Sequence, residues 1–180
     1  MTHVLDRFSL FNLFTLTVTF VVGAVPEWRN LSAVPLLHFY LGLFAVLSSL
    51  ALHCLVFIYF LGTGRWVKEV ALAYALPDAP LPKLTRDLKR RTFPVALTAM
   101  LVPIATAAAG MGAMRQEWPW GIHLGLGLAT LAVNGWAFVV EHRNVHVNGG
   151  IIEEVMREVD RIRAERGLPS NAEALKQEEA

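Results

Sequence analysis

Cysteine is almost absent from this sequence. Cys54 is the only one, which excludes an internal disulfide framework and any CxxC metal or redox motif. Charge is scarce too. Asp, Glu, Lys and Arg make up 17% of the 180 residues, against about a quarter in an ordinary soluble domain. The scarcity is uneven. Four stretches, about 8–26, 32–62, 93–114 and 119–140, contain none of these residues. A bilayer span needs roughly 20 mostly apolar residues in a helix, and hydrocarbon offers a bare backbone no other partner. The four stretches therefore read as membrane-spanning helices. What remains reads as too short and too polar for a separate soluble domain. There is no Gly-rich phosphate loop, no Walker pattern and no Ser-His-Asp order, and nothing points to nucleic acid.

The charge that is present is distributed unequally. Arg65, Lys68, Lys83, Arg86, Lys89, Arg90 and Arg91 lie between the second and third stretches, and Arg143, Arg157, Arg161, Arg163, Arg166 and Lys176 follow the fourth. The other two connections hold one cation each, Arg29 and Arg115. By the positive-inside rule, both termini and the middle linker are cytoplasmic. The expected location is the cell inner (cytoplasmic) membrane, with the lipid bilayer as partner. Trp28, Trp118 and Trp120 then belong to the outer interface and Trp66 to the inner one. Val22-Gly23-Ala24 would suit a signal-peptide cleavage site, but the first stretch is read as a retained helix.

The expected fold is all-α: a transmembrane up-down-up-down four-helix bundle with a cytoplasmic amphipathic C-terminal helix. Residues 1–146 form the membrane domain and 147–180 the cytoplasmic helix and tail. Pro26–Pro35 and Arg115–Pro119 are outer turns, so spans two and four run in parallel. In the linker, 63–92, Arg65–Leu76 reads as a short amphipathic helix with Val67, Val70, Ala71 and Tyr74 on one side. Pro77, Pro80 and Pro82 then break it, and Lys83–Arg91 is a basic run suited to anionic headgroups. After Gly149-Gly150, a helix from Ile151 to about Arg166 carries a stripe of Ile151, Ile152, Val155, Val159 and Ile162. That stripe must meet the bundle, a symmetry mate or a larger membrane complex. Leu168–Ala180 reads as a fraying tail.

Histidine is the informative residue. His38 and His53 lie in span two, His123 lies in span four, and His142 and His146 lie just beyond it. Ionisable groups in spans usually face the bundle interior. His38 and His53 are 15 positions apart, roughly 22 Å along a helix and about 60° around it. Because spans two and four are parallel, His38 and His123 come to similar depth. Two facing imidazoles are a ligand set for one haem iron. The surroundings repeat weakly: His38-x3-Gly42-Leu43 matches His123-x3-Gly127-Leu128, and a Glu-Trp pair precedes each (Glu27-Trp28, Glu117-Trp118).

This pattern resembles the di-haem b-type cytochromes of respiratory membranes, in which the parallel second and fourth helices of a bundle each carry two histidines. The resemblance covers residues 8–146. It implies haem b, one or two, with His38 and His123 on an outer iron and His53 and His142 on an inner one. Gly42, Gly125 and Gly127 would admit a bulky macrocycle. The sequence departs from the family at Phe138, which stands where the fourth histidine is expected. The nearest substitute, His142, requires a shift of about 6 Å along the helix. It also sits among Glu141, Arg143, Asn144 and His146, where an interfacial or capping role is equally open.

The function expected from these features is a membrane-anchored haem b electron-transfer subunit, exchanging electrons with quinol or a partner redox complex. The alternative is a cofactor-free accessory subunit of a larger membrane complex, its histidines hydrogen-bonded between helices. A third reading, a channel or transporter, is weakened by the absence of carboxylates within the spans. Glu141-His142-x3-His146 also has the i, i+4 spacing of metal ligands, but not the order H-E-x-x-H.

Overall fold

A computed structural model describes residues 2–25, 34–78 and 80–178. The expected contributions of Trp28, Arg29, the Glu27-Trp28 pair and the first outer turn lie outside the described residues, apart from Val34 and Pro35 at the end of that turn. The described chain is helical, with no strand among these residues. Its elements are α1 (Thr2–Ala24), α2 (Val34–Ala73), α3 (Leu81–Met114), α4 (Trp120–Glu165) and α5 (Asn171–Glu178). The first four are long and apolar enough to cross a membrane.

Three helices run further than the sequence suggested. The linker segment from Arg65 is not a separate helix but continues α2 to Ala73, and the basic run Lys83–Arg91 is the first part of α3. Gly149-Gly150 does not interrupt α4. Each mid-helix glycine costs about 1 kcal/mol relative to alanine, so packing on both sides outweighs the local preference. Residues 171–178, expected to fray, form α5 instead. Ser170 and Glu173 close a capping box at its start: the Ser170 N–H donates to Glu173 Oε2 (2.9 Å) and the Glu173 N–H to Ser170 Oγ (3.3 Å).

Ends are made locally. Ala75, Gln116 and Gly167 take positive φ just past α2, α3 and α4. Each is followed by a residue whose N–H reaches back five positions: Leu76 to Ala71, Glu117 to Gly112 and Leu168 to Arg163. This is the left-handed C-terminal closure of a helix. α3 also carries two interior prolines, Pro94 and Pro103. Proline has no N–H to give to the carbonyl four residues earlier, so Pro103 frees the carbonyl of Ala99. The Asn134 side-chain amide takes up that carbonyl (Nδ2 to O, 3.4 Å).

The chain divides into two compact units, 1–57 with 92–143 and 58–91 with 144–180. In the first unit, Asn12 meets Ser48 and Thr19 meets His38, so numbers fall along α2 as they rise along α1. Thr106 meets Thr130 and Ala99 meets Asn134, the same relation for α3 and α4. Numbers on α2 and α4 rise together, His38 beside His123 and His53 beside Glu141. The buried side chains here include Asn12, Ser49, His53, Asn134 and Glu141, while Phe14, Leu47 and Val139 are exposed.

The second unit has the opposite pattern. Val67, Ile151, Val155 and Val159 form its core, with Trp66, Val70, Tyr74, Leu81 and Leu88 packed around it. The C-terminal stripe is thus covered by the linker-derived part of the same chain. Asn148 joins α4 to α2 through Tyr59 Oη (3.2 Å) and Thr63 Oγ1 (3.1 Å). Arg86 forks onto Asp78 with two bonds of 3.1 Å.

Candidate functional site

Each helical hairpin of the first unit holds one histidine in the same way. On α2, His38 Nδ1 donates to the backbone carbonyl of Thr19 (3.1 Å), and on α4, His123 Nδ1 donates to that of Thr106 (2.9 Å). A carbonyl only accepts, so both rings carry a proton on Nδ1, and in the neutral ring Nε2 is the unprotonated nitrogen. One helical turn beyond each threonine is a glycine on which the ring rests. A Cβ at Gly23 would stand 2.8 Å from His38 Nδ1, and one at Gly110 would stand 2.8 Å from His123 Cε1. Any larger residue there would push the imidazole away.

The weak repeat seen in the sequence is therefore half of a larger one. Thr19-x3-Gly23 with His38-x3-Gly42 corresponds to Thr106-x3-Gly110 with His123-x3-Gly127, offset by 87 residues on the odd helices and 85 on the even ones. The threonine–glycine halves escaped the sequence reading because small and hydroxyl residues in apolar helices look like packing residues. An offset constant within each helix pair, and nearly equal between the two pairs, was the signal.

The two rings face each other edge to face, with centroids 5.9 Å apart and planes at 80°. They border a cavity of about 450 Å³ that Thr19, Gly42, Pro103, Thr106 and Gly127 also line. Gly125, expected to open space for a macrocycle, is not among its walls. Below it, Thr106 Oγ1 and Thr130 Oγ1 are 2.7 Å apart, and Thr106 also bonds the Leu126 carbonyl (3.0 Å). These bonds seal the floor with satisfied polar groups.

The structure does not bring His53 and His142 together. His53 is fully buried with both nitrogens occupied: Nδ1 on Glu141 Oε1 at 2.7 Å and Nε2 on Asn134 Oδ1 at 3.0 Å. Its ring stacks on Phe138 (5.6 Å, 21°), the residue at the equivalent position on α4. His142 instead pairs with Asp6 of α1 (2.5 Å) on the exposed side of the helix. His53 has no free nitrogen to offer, and His142 is held to α1 instead. Glu141 was the residue missed. It stands one position after the last apolar block, where it reads as part of a polar flank, yet it is fully buried. Among the described residues, no group of three or more His, Cys, Asp or Glu side chains forms a metal cluster, Glu141-His142-x3-His146 included.

Comparison with family models, curated proteins and solved structures finds no match for this chain. The functional reading therefore rests on the residues. The paired imidazoles at the cavity are a two-nitrogen donor set on opposed helices. The His53–Glu141–Asn134–Ser49 cluster is a buried polar network with a single ionisable pair at its centre.

Proposed function

We propose that the chain is a membrane subunit that carries one haem b between His38 and His123 and passes electrons between quinol or a partner redox complex and that haem. In this reading α1 to α4 cross the bilayer up-down-up-down. The apolar surface of the first unit faces lipid, and the second unit, which holds most of the Lys and Arg residues, lies on the cytoplasmic side with both termini. An α1 of 23 residues measures roughly 34 Å at 1.5 Å per residue, enough for a hydrocarbon core of about 30 Å.

The observation that carries the proposal is the ring spacing together with the tautomers. Two imidazoles brought together on opposed helices would hold a haem iron between them. The rings are 5.9 Å apart. Each Nδ1 is tied to a backbone carbonyl, the kind of outer hydrogen bond that orients a metal-binding imidazole. The spacing and the two carbonyl bonds support the reading. Bound haem would supply one-electron exchange. The chain's own part is to hold both rings through Thr19 and Thr106, to leave space at Gly42 and Gly127, and to exclude water with an apolar wall.

A second reading has its own observation. An edge-to-face ring pair with centroids 4.5–7 Å apart is a favourable contact in itself, so His38 and His123 would also serve a cofactor-free accessory subunit as an interhelical clasp. An absorption spectrum of the detergent-purified full chain, with a pyridine haemochrome assay, separates the two. The expected result is a haem b Soret band that shifts on dithionite reduction. His38→Ala or His123→Ala should abolish it, whereas His53→Gln should retain it. A colourless, folded and monodisperse preparation from haem-replete cells would sink the electron-transfer reading.

A further inference from the structure

The buried pair on the other side of the first unit does something different. Its protonation follows from the hydrogen bonds. Asn134 Nδ2 reaches two carbonyls, Thr130 (3.0 Å) and Ala99 (3.4 Å). Carbonyls only accept, so the amide orientation is fixed and Asn134 Oδ1 must be the acceptor on its other side. Ser49 Oγ donates to that oxygen (2.7 Å), and so must His53 Nε2 (3.0 Å). With Nε2 committed as N–H, one proton occupies the 2.7 Å bond between His53 Nδ1 and Glu141 Oε1. The pair is then neutral overall, whether the proton is drawn on nitrogen or on oxygen.

Glu141 has a second oxygen. Oε2 is buried and has no hydrogen-bond partner among the described residues. A carboxylate oxygen left without a donor in a low-dielectric interior is costly, and here it is also the one open position in the network. Protonation there leaves the Nδ1–H···Oε1 bond intact and takes the pair from neutral to one positive charge. No other ionisable group of the unit bonds to the pair in the described structure. α3 contributes no ionisable residue between Thr92 and Met114, and α1 contributes His3, Asp6 and Arg7. α2 adds His38, Tyr40 and Cys54, and α4 adds His123, His142 and Arg143. Of these, Asp6 and His142 bond each other and are about half exposed. Arg115 and Glu117 lie in the α3–α4 turn.

We propose that His53 and Glu141 form a proton-exchange site within the apolar unit, with Glu141 Oε2 as the atom that takes up and gives back the proton. The site is loaded from the end that carries Asp6 and His142. That is the near route, because His142 follows Glu141 directly while His38 lies roughly 22 Å from His53 along α2. The far side is closed by Asn134. Its amide bridges two carbonyls and would have to lose an N–H to relay a proton. The chemistry recognised is the proton itself, and the site does not depend on haem.

Infrared difference spectroscopy on the full chain in lipid bilayers tests this. The expected result is a protonated-carboxyl band whose amplitude follows pH, which shifts in D2O and is lost in Glu141→Gln. Asp6→Asn should slow its deuteration several-fold. A band that is flat across pH, insensitive to D2O or retained in Glu141→Gln would overturn the proposal, and an unchanged rate in Asp6→Asn would overturn its entry side. Should Glu141→Gln fail to fold, Glu141→Asp must shift the same band, and no shift counts against the site. Loss of a haem band in His53→Gln would overturn it as well. A colourless protein would defeat the haem reading alone.

Discussion

The same three helices, α2, α3 and α4, pass through two units built on opposite chemistry. In the unit formed by 1–57 and 92–143, the interior holds Asn12, Ser49, His53, Asn134 and Glu141 among apolar residues such as Leu16, Leu52 and Phe138, and large apolar side chains are exposed. In the unit formed by 58–91 and 144–180, the interior is Val67, Ile151, Val155 and Val159. Its surface carries ion pairs such as Arg65–Glu69 and Arg161–Glu165. A helix does not change its backbone at such a boundary. In the proposed membrane arrangement, what changes is the solvent for which its faces are sorted. Where water is the solvent, burying methyl groups drives packing at about 25 cal/mol per Å². Where hydrocarbon is the solvent, that drive vanishes and polar contacts and close packing hold helices together. The contrast is the physical argument for two environments along one chain.

The largest expected effect comes from placing a charge in the water-type core. Val155 is fully buried there, so Val155→Asp leaves an unpaired carboxylate inside and should cost about 3–5 kcal/mol, by analogy with a broken buried ion pair. Thermal unfolding in detergent reads it, and a loss below about 1 kcal/mol would mean that this core is not closed. The next comparison uses exposed residues. Phe14 and Leu72 are 66% and 73% exposed in the two units, and both would be surface leucine- or phenylalanine-to-lysine changes in a soluble protein. Phe14→Lys should weaken membrane insertion by about 2.5–3.5 kcal/mol, the translocon cost of a lysine near mid-span. Leu72→Lys should stay within about 0.5 kcal/mol. Equal effects in a glycosylation-based insertion assay would erase the distinction between the units.

Much of this was legible from residue order. Four uncharged stretches identify the four long helices, and the parallel relation of the second and fourth brings His38 level with His123. The proline cluster at 77–82 marks the gap between α2 and α3. Other features were hidden because they depend on partners distant in sequence. Gly149-Gly150 reads as a break only if local propensity decides, yet Asn148 and Ile151 on either side are anchored in the second unit. Glu141 reads as a flanking charge until His53 is brought to 2.7 Å from it. Thr19 and Thr106 act through their carbonyls, which every residue has, so nothing in their side chains advertises the role. Asn12, Ser49 and Asn134 carry no charge and stand out little within apolar spans, yet all three are buried in the first unit.

The smallest effect tests the water-exposed character of the second unit without touching its core. At α5 the Ser170 backbone N–H, and then its hydroxyl, hold the Glu173 carboxyl below its ordinary range. A carboxyl whose folded value is depressed stabilises the folded form above its unfolded value of about 4.3. That contribution is lost as pH falls through the folded value, since protonation removes the acceptor that closes the capping box. Acidification through and below the usual carboxylate range should therefore loosen 171–178 before the buried core. Carbon-13 chemical shifts of α5 should move toward coil while those of Val155 and Val159 hold. Glu173→Ala, which removes the acceptor, should loosen α5 already at neutral pH and flatten its response to acid. An α5 that stays helical below the usual carboxylate range would mean that the bonds from Asn171 to Asp160 (2.8 Å each) hold it without the cap. In that case the second unit owes the position of its last helix to Asp160.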